Sequence, residues 1–193
     1  PFTPEPWDAP NDFGNRDEGY PGVTKKEYDP DEVIVPDFLP DTRECREELA
    51  QYYQSVSRID QGFGKLMEHL KESGKEDNTI IIYISDNGIA FPGAKTTVYE
   101  PGIKLPCIVK TPDLKQKGIV NNAMISWVDL TPTILDMAGI ETDKFHFHGR
   151  SFNGILEEND PTAWDKVYAS HTFHEITMYY PMRSMRKDNM KLI

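Results

Sequence analysis

The stretch "NTIIIYISDNGIAFPGAKTTVYEPGIKLPCIV", residues 78–109, decides how the rest of the chain is read. It opens on an unbroken apolar, β-branched run, which suits a strand buried on both faces, as in a parallel sheet covered by helices. The run stops at Asp86-Asn87-Gly88. In an open α/β sheet, ligands bind outside the carboxyl ends of the strands, and this tripeptide stands at such an end. Where a chain leaves a sheet the two-residue alternation breaks, so Asp86 and Asn87 can converge while Gly88 permits the turn. A carboxylate and an amide oxygen are hard ligands suited to Ca²⁺ or Mg²⁺, yet two oxygens fall short of the roughly six to eight that Ca²⁺ takes. On the tripeptide alone a plain turn is the commoner outcome. Lys95, taken alone, is an ordinary surface lysine.

Working outward, "KLPCIVKTP" predicts a second strand, with Pro106 tolerable near its start. Upstream, Asp41 with Glu44 three residues on has the spacing of a capping box that opens a helix. Leu49, Tyr52, Tyr53, Val56, Ile59, Phe63, Leu66, Met67 and Leu70 then recur at intervals of three and four, one apolar stripe read as core packing. Gly74 is placed to end that helix. Downstream, "WVDLTPTILDMAGI" predicts another helix, capped by Thr131, with Pro132 at its first position and Gly139 just past its last turn. "KVYASH" and "MRSMRKDNMKLI" read as two further strands. Alternating strands and helices predict an α/β fold, a mostly parallel mixed sheet flanked by helices. Residues 1–40 are rich in Pro, Gly, Asp and aromatics without a sustained period, and are read as a long ordered loop lying across a surface.

With 193 residues the chain has room for one ordinary domain with a real core. A net charge of −11 argues against nucleic acid, whose binding rests on clustered Lys and Arg. An anionic substrate would need local positive charge or a metal against that field. No apolar run is long enough to span a membrane. Cys45 and Cys107 are the only cysteines, one in a helical turn and one in a strand, so no disulfide framework is expected. The chain opens in mid-loop without Met and stops within a strand pattern, which reads as a piece of a longer protein.

The joint pattern raises the weight of Asp86. "ISDNGIAFPGAKTTVYEPGIKLPCIVKTP" resembles the second signature half of the sulfatases, in the alkaline-phosphatase-like superfamily. An Asp-Asn-Gly follows a strand, a basic residue stands four positions before the Tyr of a Tyr-Glu-x-Gly stretch, and a basic residue and a Pro open the next strand. The resemblance implies that Asp86 and Asn87 ligate a divalent cation, usually Ca²⁺ with Mg²⁺ as the alternative, and that Lys95 contacts a sulfate group. "WVDLTPTILDMAGI" resembles the family's next helix and "HFHGRSF" its Gly-Arg-Ser turn. "YDPDEVIVPDFLPDT", "RIDQGFGKLMEHLKESG" and "HEITMYYPMRS" resemble the sulfamidase branch, the heparan N-sulfatases, which remove sulfate from the nitrogen of glucosamine. In "HEITMYYPMRS", His174 and Glu175 can hydrogen-bond hydroxyls or an amino group, and Arg183 can grip a carboxylate or sulfate with its planar fork. Arg183 could equally pair with a neighbouring acid on a strand surface.

The resemblance implies division into a loop region (1–40), the second half of a sulfatase catalytic α/β domain (41–160), and the start of C-terminal strands carrying substrate-subsite residues (161–193). It also implies a sulfated glycan or amino sugar as partner and an exported setting, periplasmic, extracellular or lysosomal. Sulfatases of this type convert a Cys or Ser in a Cys/Ser-x-Pro/Ala-x-Arg motif to formylglycine. Neither "ECREE" nor "PCIVK" has that pattern, so no catalytic residue is assigned in this chain and the 193 residues alone are expected to be inactive. Two other functions share parts of the pattern. A phosphodiesterase or phosphonate hydrolase would use the same metal logic at phosphorus, and a non-catalytic carbohydrate-binding module would keep the sheet without metal dependence.

Overall fold

The computed structural model describes residues 12–174 and 179–193, arranged in two compact units, Pro1–Thr79 and Ile80–Ile193. The first unit is one long helix, α1 (Arg43–Glu72), with the preceding segment laid along it. Residues 15–42 hold no helix or strand, and their backbone polar groups are met partly by local turns and partly by side chains. The helix supplies several of the latter. Arg58 donates to the Phe13 carbonyl and to Asn15 Oδ1, at 3.0 and 2.8 Å. Gln61 exchanges two bonds of 2.9 Å with the backbone of Thr24. Tyr53 donates to the Ile34 carbonyl, and Arg46 to those of Pro30, Asp31 and Val33. The expected surface under the loop is therefore α1 itself, and Val33 and Leu39 are buried there beside Leu49 and Ala50.

Two expectations for α1 need correction. Its N-cap is Thr42, whose Oγ1 accepts from the Cys45 amide at 3.3 Å, and not Asp41. The Asp41 carboxylate is held instead in a two-pronged pair by Arg46, at 2.5 and 2.8 Å. The apolar stripe is core only at its start: Leu49 is 1% exposed, but Val56, Ile59 and Leu66 are 43, 51 and 61% exposed. The overlying loop reaches only part of the helix face, and periodicity reports a face without reporting what covers it. Gly74 does end the helix. At φ +67° it carries the last turn into a Schellman closure, in which the Lys75 and Gly74 amides donate to the Leu70 and Lys71 carbonyls.

The second unit begins with β1 (Ile81–Ile84) and continues through a long loop, the single-turn helix α2 (Glu100–Ile103), and β2 (Cys107–Lys110). The mostly parallel sheet is not what forms. β1 and β2 are antiparallel, with Ile84 opposite Cys107 and Ile81 opposite Lys110. The connecting segment folds back on the end of β1 that it left, so the next strand re-enters there and runs the other way. The apolar run also proves half-buried instead of buried on both faces, with Ile80 and Ile84 exposed. A run of isoleucine specifies a strand but carries no information on its partner's direction.

A 3-10 turn at Trp127–Asp129 leads into α3 (Leu130–Met137), which starts ahead of the expected Thr131 cap. Ser126 and Asp129 form a capping box, and Asp129 is the residue before the helix, so Pro132 falls third in the first turn, where an amide hydrogen is dispensable. Gly139 (φ +70°) ends α3 with the same closure as Gly74. The remaining strands, β3 (Lys166–Phe173), β4 (Tyr179–Lys187) and β5 (Met190–Leu192), form an antiparallel sheet in the order β3-β4-β5. There are thus three late strands in place of two, because Asp188 takes φ +50° and turns the chain back within "RKDNMKL". Among the described residues, Phe91, Ala94, Val98, Phe152 and Trp164 are buried apolar side chains of this unit.

Candidate functional site

The ladder between β1 and β2 ends at the Ile84–Cys107 pair, and Asp86-Asn87-Gly88 follows at once. The turn is held by its own polar groups. The Asp86 carboxylate accepts from the Asn87 amide at 2.9 Å, Ser85 Oγ donates to the Asn87 carbonyl at 2.9 Å, and Asn87 Nδ2 donates to the Gly88 carbonyl at 2.8 Å. With Nδ2 committed, the amide oxygen is the ligand-capable end of Asn87. Gly88 donates to the Gly102 carbonyl at 3.2 Å, and a Cβ built on Gly88 would stand 2.0 Å from the Pro101 carbonyl oxygen. A Cβ built on Gly102 would be as tightly placed, 2.4 and 2.5 Å from the carbonyl oxygens of Ala94 and Thr97. Only glycine permits these two segments to touch.

The same crossing brings Lys95 into the assembly. Its amide donates to the Ile89 carbonyl at 3.0 Å, and the loop around it is plugged by Phe91, Ala94 and Val98. Thr97 Oγ1 is within 2.9 Å of the Ala94 carbonyl and also lies 3.3 Å from the Tyr99 amide, from which it accepts. Between them Thr96 adopts φ +68°, a left-handed conformation that β-branched residues rarely take. The carboxylate, the amide and the lysine singled out in the sequence therefore share one clamped loop.

His174 and Arg183 belong to a different element. His174 is exposed just past β3, and Arg183 is exposed on β4 opposite Ser170. Arg183 donates to the Met182 carbonyl at 3.0 Å, and among the described residues it meets no acid. Glu175 lies outside the described residues. No hydrogen bond or ion pair among the described residues joins His174 or Arg183 directly to Asp86, Asn87 or Lys95. What links the elements is a group that spacing does not single out. Glu100, in the Tyr-Glu-x-Gly stretch, receives Arg186 from β4 and Lys191 Nζ from β5, the latter at 2.9 Å. This half-buried carboxylate ties the Lys95 loop to the sheet that carries Arg183.

A second polar node fixes α3. Asp129, buried, accepts from the Ser126 amide at 2.8 Å and from the Arg150 amide at 2.9 Å, so the Gly-Arg-Ser turn docks onto the start of the helix. Thr133 relays from the Phe152 amide to the Asp129 carbonyl. Trp127, next to Ser126, donates through Nε1 to the Ser85 carbonyl at 3.1 Å.

The donor chemistry of Asp86 and Asn87 suits a hard divalent cation in kind, as one carboxylate and one amide oxygen at a strand end. In number they are part of a ligand set. Among the described residues no group of three or more His, Cys, Asp or Glu converges on a metal-sized position. Cys45 and Cys107 are both free thiols, and burial pushes the Cys107 thiol above its ordinary range, which makes it a poor ligand or nucleophile near neutrality.

This combination of a strand-end acid–amide pair, a clamped lysine and the surrounding mixed α/β unit coincides with a known family model, that of the sulfatases, which matches residues 5–140. The chain belongs to the sulfatase family. A second model, described as N-sulphoglucosamine sulphohydrolase, C-terminal, matches residues 93–193. Human N-sulphoglucosamine sulphohydrolase is 39% identical over 94% of this chain, and the chain spans 38% of that protein's length. An N-acetylglucosamine-6-O-sulfatase of Bacteroides thetaiotaomicron is 31% identical over 70% of the chain and is covered over 26% of its own length. Two solved structures share the fold. One, in complex with its substrate D-glucosamine-2-N,6-O-disulfate, has a TM-score of 0.64 at 26% identity, covering 80% of this chain and 33% of that one. The other, a phosphonate monoester hydrolase from Silicibacter pomeroyi, has a TM-score of 0.62 at 25% identity, covering 83% and 35%. Among the described residues no helix is long and apolar enough to cross a membrane.

Proposed function

We propose that these residues form part of the metal and sulfate site of an exported hydrolase that removes sulfate from a sulfated amino sugar, the N-sulfate of glucosamine in heparan-type chains. The observation that carries this reading is the clamped loop, which holds Asp86, Asn87 and Lys95 in one assembly by backbone crossings that only glycine permits. Asp86 and Asn87 would hold Ca²⁺ through hard oxygens. When bound, the cation would offset negative charge on the sulfate. Lys95 would meet the sulfate oxygens as a point charge on a fixed loop, and His174, Glu175 and Arg183 would grip the sugar's polar groups and any second acidic substituent. The residue that attacks sulfur is assigned to no position among residues 1–193, so hydrolysis requires a formylglycine-type nucleophile supplied by polypeptide outside them.

The test is sulfate release by the polypeptide that carries this sequence together with such a nucleophile, from glucosamine N-sulfate, from O-sulfated glucosamine and from a phosphonate monoester. Fastest release from the N-sulfate, lost on chelation and restored by Ca²⁺, is expected. Preferential cleavage of the phosphonate ester would replace this reading with the phosphorus one, and metal-independent sugar binding without turnover would replace it with the binding module.

A further inference from the structure

The turn that carries Asp86 and Asn87 is fastened almost wholly from within residues 85–102. Ser85 Oγ holds the Asn87 carbonyl, Asn87 Nδ2 holds the Gly88 carbonyl, and Gly102 holds the Gly88 amide. One fastener comes from elsewhere: the indole Nε1 of Trp127, forty-two residues along the chain, donates at 3.1 Å to the Ser85 carbonyl, in the peptide unit directly before Asp86. That carbonyl lies one residue beyond the last ladder pair, where β2 no longer offers a partner. An indole has a single donor and no acceptor, so its direction is unambiguous.

We propose that Trp127 is a positioning residue for the Asp86–Asn87 pair, fixing the peptide plane from which both side chains leave the strand. The inference rests on the reading of that pair as metal ligands. Trp127 can serve as a rigid post because the turn it opens is fastened around it. The Leu130 amide donates to the Trp127 carbonyl, the reciprocal Ser126–Asp129 capping box closes the turn, and the Arg150 amide donates to Asp129 Oδ1. A ligand pair with only two oxygens gains most from such preorganisation, because every degree of freedom left in the turn is lost again on binding.

A ring that merely fills space would tolerate loss of its N–H, and that separates packing from positioning. The experiment replaces Trp127 by benzothienylalanine, which keeps the bicyclic shape and removes the donor, with Trp127→Phe as a second variant. Amide hydrogen exchange in the metal-free 193-residue chain is expected to rise by roughly two- to tenfold at Asn87 and Gly88, the range for one lost hydrogen bond, while β3 and β4 amides stay unchanged. Ca²⁺ titration of the longer polypeptide that carries this sequence with the rest of the ligand set, followed by the Asn87 and Gly88 resonances, is expected to give a dissociation constant weaker by a similar factor. Exchange equal to wild type in the isosteric variant overturns the proposal whatever the metal does, as does equal Ca²⁺ affinity. If that longer polypeptide, in its wild-type form, shows no saturable Ca²⁺ shift while the exchange contrast holds, the metal reading falls and Trp127 stands as the fastener of the turn.

Discussion

At Thr96 the backbone is held at φ +68° immediately after the lysine proposed to meet sulfate. A β-branched residue in that region costs on the order of 1–3 kcal/mol, and glycine returns roughly 0.5–1 kcal/mol of that through its more flexible unfolded chain. Thr96→Gly is therefore expected to stabilise the chain by about 1 kcal/mol, read as a rise of about 2–4 °C in the melting midpoint. A fall in the midpoint would mean that the Thr96 side chain contributes contacts outweighing the strain. Asp86 behaves differently, being exposed and, among the described residues, hydrogen-bonded only to its neighbour's amide. Asp86→Ala is expected to change metal-free stability by less than about 0.5 kcal/mol, as ordinary surface substitutions do. It should also abolish any rise in midpoint on adding Ca²⁺, since only a ligand bound to the native state raises it. A Ca²⁺-dependent rise that survives in Asp86→Ala would remove this carboxylate from the ligand set.

Between elements, the Glu100 bridge is the joint to probe. Its carboxylate, about two-fifths exposed, meets cations from two strands. Glu100→Gln is expected to cost about 1–2 kcal/mol after discount for solvent screening. It should raise hydrogen exchange in Met190–Leu192 more than in Ile81–Ile84; uniform change would show that the bridge adds stability without tying the hairpin. Glu157 gives a pH-dependent counterpart. Its carboxylate accepts from the amides of Gln116 and Lys115, which hold it below the usual glutamate range. A depressed folded-state value means stability present near neutrality and lost as pH falls through the carboxylate range. Glu157→Gln should flatten the fall in stability between about pH 6 and about pH 3, measured by denaturant titration; an unchanged slope would rule the group out. Element positions were legible from punctuation, and Gly74 and Gly139 stop their helices as their placement foretells. Caps were less legible, because Asp41 and Thr42 are both good cap residues and a side-chain pair outside the capping pattern, Arg46 with Asp41, chooses between them. Strand direction was not legible at all, since isoleucine content is the same for either partner orientation. The Glu100 partners lie far along the chain, beyond the reach of any local spacing.

Across the whole chain, charge and apolar exposure oppose each other. A net charge of −11 favours solubility, while Val56, Ile59 and Leu66 leave part of an apolar stripe on α1 in solvent. Leu66→Lys is expected to leave the melting midpoint within about 2 °C and to lower binding of an apolar fluorescent dye, because that side chain has little packing to lose. A large loss of stability would show instead that the stripe is covered in solution. At this scale the alternation of strands and helices, and the family, could be read from motifs, and Asp86, Asn87 and Lys95 do fall in one loop. The reach from that loop to His174 and Arg183 could not be read, because it depends on how a hairpin is tethered and not on residue type. The glycine crossing carries one last consequence, for genetics. Side chains built on Gly88 or Gly102 collide with main-chain carbonyl oxygens, which no second mutation can shorten. Revertants of Gly88→Ala or Gly102→Ala should therefore be true restorations of glycine, with intragenic suppressors absent from the selected pool.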